Sequence, residues 1–212
     1  MSLNFPNFQL FCYSISVKKP SLRIPYRGLS TLKDGCSVKA NLEGGWFDAG
    51  DHVKFAFPAA FTTTFLAWGI LEYHGAYDDA EELENAIVGI KWELDWLMAA
   101  HPSSTVFHVQ VGDGKADHEY WGSPEKMKMK RPVYTLNKNL PGTEPAAEAA
   151  AALAAGSIIF QLIEQDEYAN KLLGHALELW AFADRYRKMY HFSVPQEHVW
   201  KKHKLETLIS KF

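Results

Sequence analysis

"GGWFDAGDHVKFAFPAAFTTTFLAWGILEY", residues 44–73, joins a glycine-rich turn to a long aromatic and apolar run. Phe57, Phe61, Phe65, Trp68 and Leu71 step by four or three, which places them on one stripe of a helix. Ahead of that stripe Asp48 and Asp51 stand three residues apart, with Gly44 and Gly45 to bend the backbone and Gly50 to keep the turn narrow. Spacing alone favours turn and helix-cap residues for both. The other reading is a pair of working carboxylates, which can grip one water between them. One would take its proton while the other orients it. Each then disfavours the other's ionisation, so at least one pKa is expected to rise.

Outward from this stretch the helical period continues. Leu83, Ile87, Ile90, Leu94 and Leu97 form a second stripe, with Asp78 and Asp79 expected as its cap and first-turn acids and His101-Pro102 as its end. A third helix is predicted from "GTEPAAEAAAALAAGSIIF", with Thr143 as N-cap, Pro145 in the first turn, and Ala147, Ala151, Ala154 and Ile158 as a small-residue packing stripe. A fourth runs from Asp166 to Met189, with Leu172, Ala176, Leu179, Ala183 and Tyr186 in register. The tail "QEHVWKKHKLETLISKF" reads as a weak amphipathic helix, with Lys201, Lys202 and Lys204 on a solvated face. Between the second and third helices, "FHVQV" alternates like a short strand. The rest of 102–142 shows no element, and a run of that length points to a binding surface. Successive long helices with broad loops predict an all-α array of paired helices and exclude a doubly wound α/β fold.

Composition narrows the function. Hydrophobic residues make up 47% of the 212, enough for a packed core. The net charge of −3 gives no general attraction to nucleic acid or anionic membrane. No apolar run approaches the roughly 20 residues of a membrane span, and the start lacks the pattern of a signal peptide. Cys12 and Cys36 are the only cysteines, so zinc and redox CxxC spacings are absent while a single disulfide between them stays open. "DAGDHVK" lacks the register of a calcium loop, and Asp113, Asp117 and His118 in "GDGKADH" fit no standard metal spacing. Phosphate-binding glycine loops and a GxSxG elbow are absent too. Carboxylates among aromatics remain, and seven Trp with nine Tyr suit either a core or stacking surfaces for sugar rings.

The segment 44–73 resembles the signature of glycoside hydrolase family 9, the inverting cellulases and endoglucanases. Further blocks follow the family's order: "RIPYRG" and "STLKDG" before it, then "HVQVGDGKADHEYWGSPEKM", "RPVYTLNKNLPGTEPAAEAAAALAAGSIIF" and "LWAFADRYRKMY" after it. The resemblance implies an incomplete (α/α)6 barrel of the six-hairpin glycosidase type with minor short strands in loops. It implies an endo-β-1,4-glucanase acting on cellulose or related glucans with inversion. Asp51 matches the family's general base and Asp48 the aspartate that positions the water. His118 and Trp121 match cleft residues that contact glucosyl units, the Trp as a stacking platform; the alternative for Trp121 is core packing. Gln110 and Asp117 are given no role beyond shaping the cleft.

The resemblance runs over residues 23–190, between a divergent segment at 1–22 and a divergent tail at 191–212. Within it, Leu29 stands where the family commonly has an acid, and Thr143-Glu144 replaces Ser-Asp. The chain holds no Asn-Glu dipeptide, the family's setting for the general acid. The family's calcium-site block is also missing, so no cofactor or metal is expected. The partner implied is a β-1,4-glucan, with no nucleic acid and no membrane, and the family implies secretion. An inactive glucan-binding pseudoenzyme and an unstable truncated product are the alternatives.

Overall fold

The computed structural model describes residues 28–194. The segment 1–22, "RIPYR", Cys12 and the amphipathic tail with Lys201, Lys202 and Lys204 lie outside the described residues. Four long helices carry the architecture: α1 (Ala56–Glu72), α3 (Leu83–Ala100), α5 (Thr143–Leu162) and α6 (Asp166–Arg185), with a short α2 (His74–Asp79) between the first two. Consecutive helices pair, α1 with α3 and α5 with α6, and α1 lies against α5. The connection between α3 and α5 holds β2 (Val106–Val111), α4 (Gly114–His118) and β3 (Val133–Asn137). With β1 (Lys54–Phe55), which leads directly into α1, these strands form an antiparallel sheet in the order β1-β2-β3.

Small residues set the helix contacts. α5 buries Ala146, Ala149, Ala150, Ala152, Leu153, Gly156, Ile159 and Phe160. A Cβ on Gly156 would come within 2.6 Å of Leu94 Cδ1, so α5 and α3 approach through a missing methyl. The core side differs from the predicted stripe: Ala151 and Ile158 are exposed. The cause is a run that is apolar all round, in which several stripes satisfy the same period. By length and hydropathy this helix even resembles a membrane span, with a window of mean hydropathy 1.3, although the sequence reading expected no such run. Its neighbours α1, α3 and α6 make it the central helix of the packing.

α1 shows the same ambiguity. Its buried residues are Ala56, Ala60, Thr63, Ala67 and Ile70, whereas Phe61, Phe65 and Trp68 of the predicted stripe are half exposed or more. Phe61 and Phe65 instead pack on each other along the outer face, ring centroids 4.5 Å apart. α6 is strongly amphipathic, and Leu172, Ala176, Leu179 and Ala183 are buried as predicted. It ends at Arg185, short of Met189.

Two caps are corrected. Asp78 and Asp79 close α2, and Glu82 occupies the N-cap of α3. The N-cap of α5 is Gly142; Thr143 is the first helical residue, and its hydroxyl accepts the Lys188 N–H at 2.9 Å. Glu144 Oε2 accepts the Tyr190 N–H at 3.0 Å, so the start of α5 is tied to the chain that leaves α6. The stretch at 102–142, expected to be without regular structure apart from one strand, also holds α4 and β3. Cys36 is exposed in a 3-10 turn.

Which side of α5 packs is testable. Leu153→Ala is expected to destabilise the chain by about 2–5 kcal/mol, the scale of a core leucine deletion. Ile158→Ala, on the exposed side, is expected to stay within about 0.5 kcal/mol. Urea midpoints of the two variants check the assignment, and the reverse order would contradict it.

Candidate active site

Neither Asp48 nor Asp51 caps a helix. α1 begins beyond them, after Phe55, with no side-chain cap bond. Both belong to a tight turn instead: Asp51 N–H donates to the Asp48 carbonyl at 2.9 Å, and Asp48 N–H to the Val53 carbonyl at 3.0 Å. Ala49 inside the turn sits at φ 48°, a left-handed conformation that costs an L-residue about 1–2 kcal/mol. Gly44 and Gly45 enter the turn at φ 80° and 69°. A Cβ on Gly45 would lie 2.6 Å from the Trp96 ring, so the backbone there runs flush against α3.

The sheet explains what faces this turn. Lys54 pairs with Val111 and Phe55 with Gln110, antiparallel, so the entry to β1 lies beside the exit from β2. The turn is thereby set against α4, which follows β2. Asp113 caps α4 by accepting the Ala116 N–H at 2.9 Å. The two residues at its end diverge, Asp117 buried and His118 exposed. Asp117 Oδ1 accepts the His52 N–H at 2.9 Å and lies 3.0 Å from His52 Nδ1. His118 Nε2 stands 3.6 Å from Asp51 Oδ1. Donor atoms of Asp51, Asp117 and His118 all lie within 4.8 Å of one another. That is three donors, with Asp117 already committed to His52, against the six to eight oxygens a calcium site uses.

A cleft of about 410 Å³ opens here, lined by Asp51, His52, Asp117, His118, Tyr120 and Trp121 among others. Trp121 is fully exposed, so the core reading of this residue does not hold. His52 lies between the rings of Phe47 and Tyr120, each centroid 5.6 Å away in an edge arrangement. Gln110 is turned inward, donating to the Gly112 carbonyl at 3.0 Å. The structure therefore brings Asp51, His118 and Trp121 to one cleft, with Asp48 in the same turn.

Electrostatics agrees with the expected rise in proton affinity but changes its main cause. Burial pushes Asp48 up, and the Asp51 charge adds to it. Burial also leads for Asp51, followed by the Asp117 charge, while His118 pulls the other way.

Behind the turn lies a charged network absent from the sequence reading. Arg131 donates to Asp34 through Nε at 2.5 Å and Nη2 at 3.0 Å, and through Nη1 to the His52 carbonyl at 2.5 Å. Lys54 Nζ lies 2.8 Å from Asp34 Oδ2 and donates to the Leu42 carbonyl at 2.8 Å. Lys54 is buried beside Glu93, whose Oε2 accepts the Trp46 N–H at 2.7 Å. Two of these had a signal: Glu93 interrupts the apolar stripe of α3 between Ile90 and Leu97, and Lys54 is the one charge in the apolar run 53–58. Arg131 stands beside three spaced lysines in "KMKMKRP", and nothing local marks it as the inward one.

The chain thus combines an array of paired helices with a cleft lined by carboxylate and imidazole side chains and an exposed tryptophan. Compared with known proteins, it matches glycosyl hydrolase family 9 over residues 9–204, and it belongs to that family. It is 52% identical over 170 residues to "Endoglucanase A" of Bacillus pumilus, covering 80% of this chain and 26% of that protein. The endoglucanase of the termite Nasutitermes takasagoensis superposes with a TM-score of 0.82 at 43% identity, covering 85% of this chain and 41% of the other. A cellulase of C. cellulolyticum, solved in complex with cellobiose, gives 0.76 at 34% identity, with 79% and 39% covered. The chain thus spans well under half the length of these relatives. The helical pairs described above are part of an (α/α)6 barrel.

Glu93 supplies a pH test of the site's support. Burial lifts its carboxyl to about 8 from an ordinary 4.5. Between those values the folded chain holds a proton that the unfolded chain has lost, so stability falls as pH rises through this window. Glu93→Gln, neutral throughout, is expected to lose a few kcal/mol less stability than the parent between pH 5 and 8. Urea titrations at both pH values check this, and an equal loss in the two proteins would contradict it.

Proposed function

We propose that this chain carries the water-activating side of an inverting endo-β-1,4-glucanase. The observation that carries the reading is the turn holding Asp51 and Asp48 at the wall of an open cleft, with His118 3.6 Å from Asp51 and Trp121 fully exposed beside it. The names of the relatives supply the substrate class: endoglucanases by sequence, and a cellulase solved with cellobiose by fold.

In the proposed reaction a water bound between Asp48 and Asp51 attacks the anomeric carbon. Asp51 accepts its proton as the new C–O bond forms, and Asp48 orients the water by accepting a hydrogen bond. The glycosidic C–O bond breaks, and the departing oxygen takes a proton from a general acid on the opposite side of the sugar. Inverting enzymes keep these two carboxyl groups about 6.5–9.5 Å apart to leave room for the water. No residue of this chain is assigned that second role. His118 steadies the ionised form of Asp51 and faces the sugar hydroxyls. Trp121 offers its ring face to a pyranose, whose axial C–H groups are apolar. Cellulose is an insoluble polymer met outside the cell, which is where this reading places the enzyme.

Hydrolysis of carboxymethyl-cellulose tests the reaction, in the purified chain and in a form extended to the length of the relatives so that a general acid is supplied. Asp51→Ala is expected to lower the rate about 10²–10⁴-fold, the contribution of a positioned general base. Trp121→Ala is expected to weaken cello-oligosaccharide binding by up to about tenfold, the scale of one aromatic contact. An unchanged rate in Asp51→Ala would remove that residue from the role. Binding without hydrolysis in either form would leave a glucan-binding protein, and neither activity in either form would overturn both readings.

A further inference from the structure

His52 is held on both sides by side chains distant in sequence. Its N–H donates to Asp117 Oδ1, its ring Nδ1 reaches the same oxygen, and its carbonyl accepts from Arg131. The His52 N–H lies in the peptide plane shared with the Asp51 carbonyl, so holding that plane fixes the backbone from which the Asp51 carboxyl projects. Asp117 is buried, at 4% exposure, yet its carboxylate comes within 4.8 Å of both the Asp51 carboxylate and the His118 ring.

We propose that Asp117 is a positioning residue for Asp51: one buried carboxylate pins the turn that aims the base and presents a negative charge to it. The proposal rests on the reading of Asp51 as the base. Asp117 Oδ1 serves both donors of His52, a backbone N–H and a ring nitrogen, which is the pattern of a residue anchoring a turn. The groups around Asp51 are Asp48 and His52 in its own turn, Asp117 and His118 from α4, and Tyr120 just beyond α4. Arg131 reaches the His52 carbonyl from the segment ahead of β3. Among the charges acting on Asp51, Asp117 has the largest effect and His118 opposes it. A carboxylate made more basic takes a proton from water with greater driving force, so the same contact that aims Asp51 also strengthens it.

Two variants separate the anchoring from the charge. Asp117→Asn keeps an oxygen for the His52 N–H and removes the charge; Asp117→Ala removes both. The readouts are the ¹³C titration of the Asp51 carboxyl in the intact chain and the acid limb of the pH–rate profile. In Asp117→Asn both are expected to move together to lower pH, because a neutral side chain no longer raises the proton affinity of Asp51. In Asp117→Ala the same shift is expected with a further loss in kcat of about 10²-fold, the cost of a group misplaced by about 1 Å. KM is expected to stay within about twofold of the parent. An Asp51 titration that does not move in Asp117→Asn overturns the proposal. A shifted Asp51 titration with an acid limb of the pH–rate profile that stays in place supports the Asp117–Asp51 coupling and contradicts the base reading alone.

Discussion

Asp34 accepts from Arg131 and Lys54 at once, and all three lie beneath the turn that carries Asp51. Lys54 is 1% exposed and Asp34 3%, so neither charge has water to fall back on. Burial depresses the Lys54 pKa, and Asp34 is the main influence restoring it. Removing one partner of a buried ion pair typically costs about 3–5 kcal/mol, because the other charge is stranded. The backbone around the turn is attached to this network at two carbonyls. Arg131 holds the His52 carbonyl, and Lys54 holds the Leu42 carbonyl and forms half of β1. Asp34 itself accepts the Leu42 N–H through its backbone carbonyl at 3.1 Å. The planar fork of arginine suits this place, since one guanidinium spans a carboxylate and a carbonyl together.

From that anchor the chemistry follows by topology. β1 is two residues long, and its pairing with β2 is what sets the aspartate turn against α4. α4 then contributes Asp117 inward and His118 outward from adjacent positions. The helices supply the wall: Gly45 runs flush against Trp96 of α3, and Glu93 of the same helix receives the Trp46 N–H. The left-handed Ala49 fits this picture, because local strain persists where surrounding contacts determine the backbone. Rigid support and an open rim divide the site. Asp117 and Lys54 are buried, while His118 and Trp121 are exposed at the cleft.

Much of this was legible in the sequence, but unevenly. Helix existence came from period, and α6 was read correctly to the face because polar residues mark its outer side. The faces of α1 and α5 were misread because alanines and aromatics make several stripes equally apolar, and size decided the packing. Asp51, Asp48, His118 and Trp121 were located by motif; the structure places Asp51, His118 and Trp121 at one cleft and Asp48 in the turn of Asp51. The cap reading of the aspartates failed on a distance in sequence that spacing does not reveal, with α1 starting only after the strand residues Lys54 and Phe55. The supporting ionisable groups were harder. Glu93 and Lys54 each break an apolar pattern, whereas Asp34 and Arg131 meet across 97 residues and leave no local trace.

The central claim is that the Asp51 turn is held from the interior and does not behave as a surface loop. Native-state hydrogen exchange tests it most directly, because the Trp46 and His52 amides donate to Glu93 and Asp117 side chains in place of water. The account predicts that these two amides exchange nearly as slowly as those in the middle of α5, well below the rate of exposed turn residues such as Gly122. Exchange at His52 and Trp46 as fast as at Gly122 would contradict it.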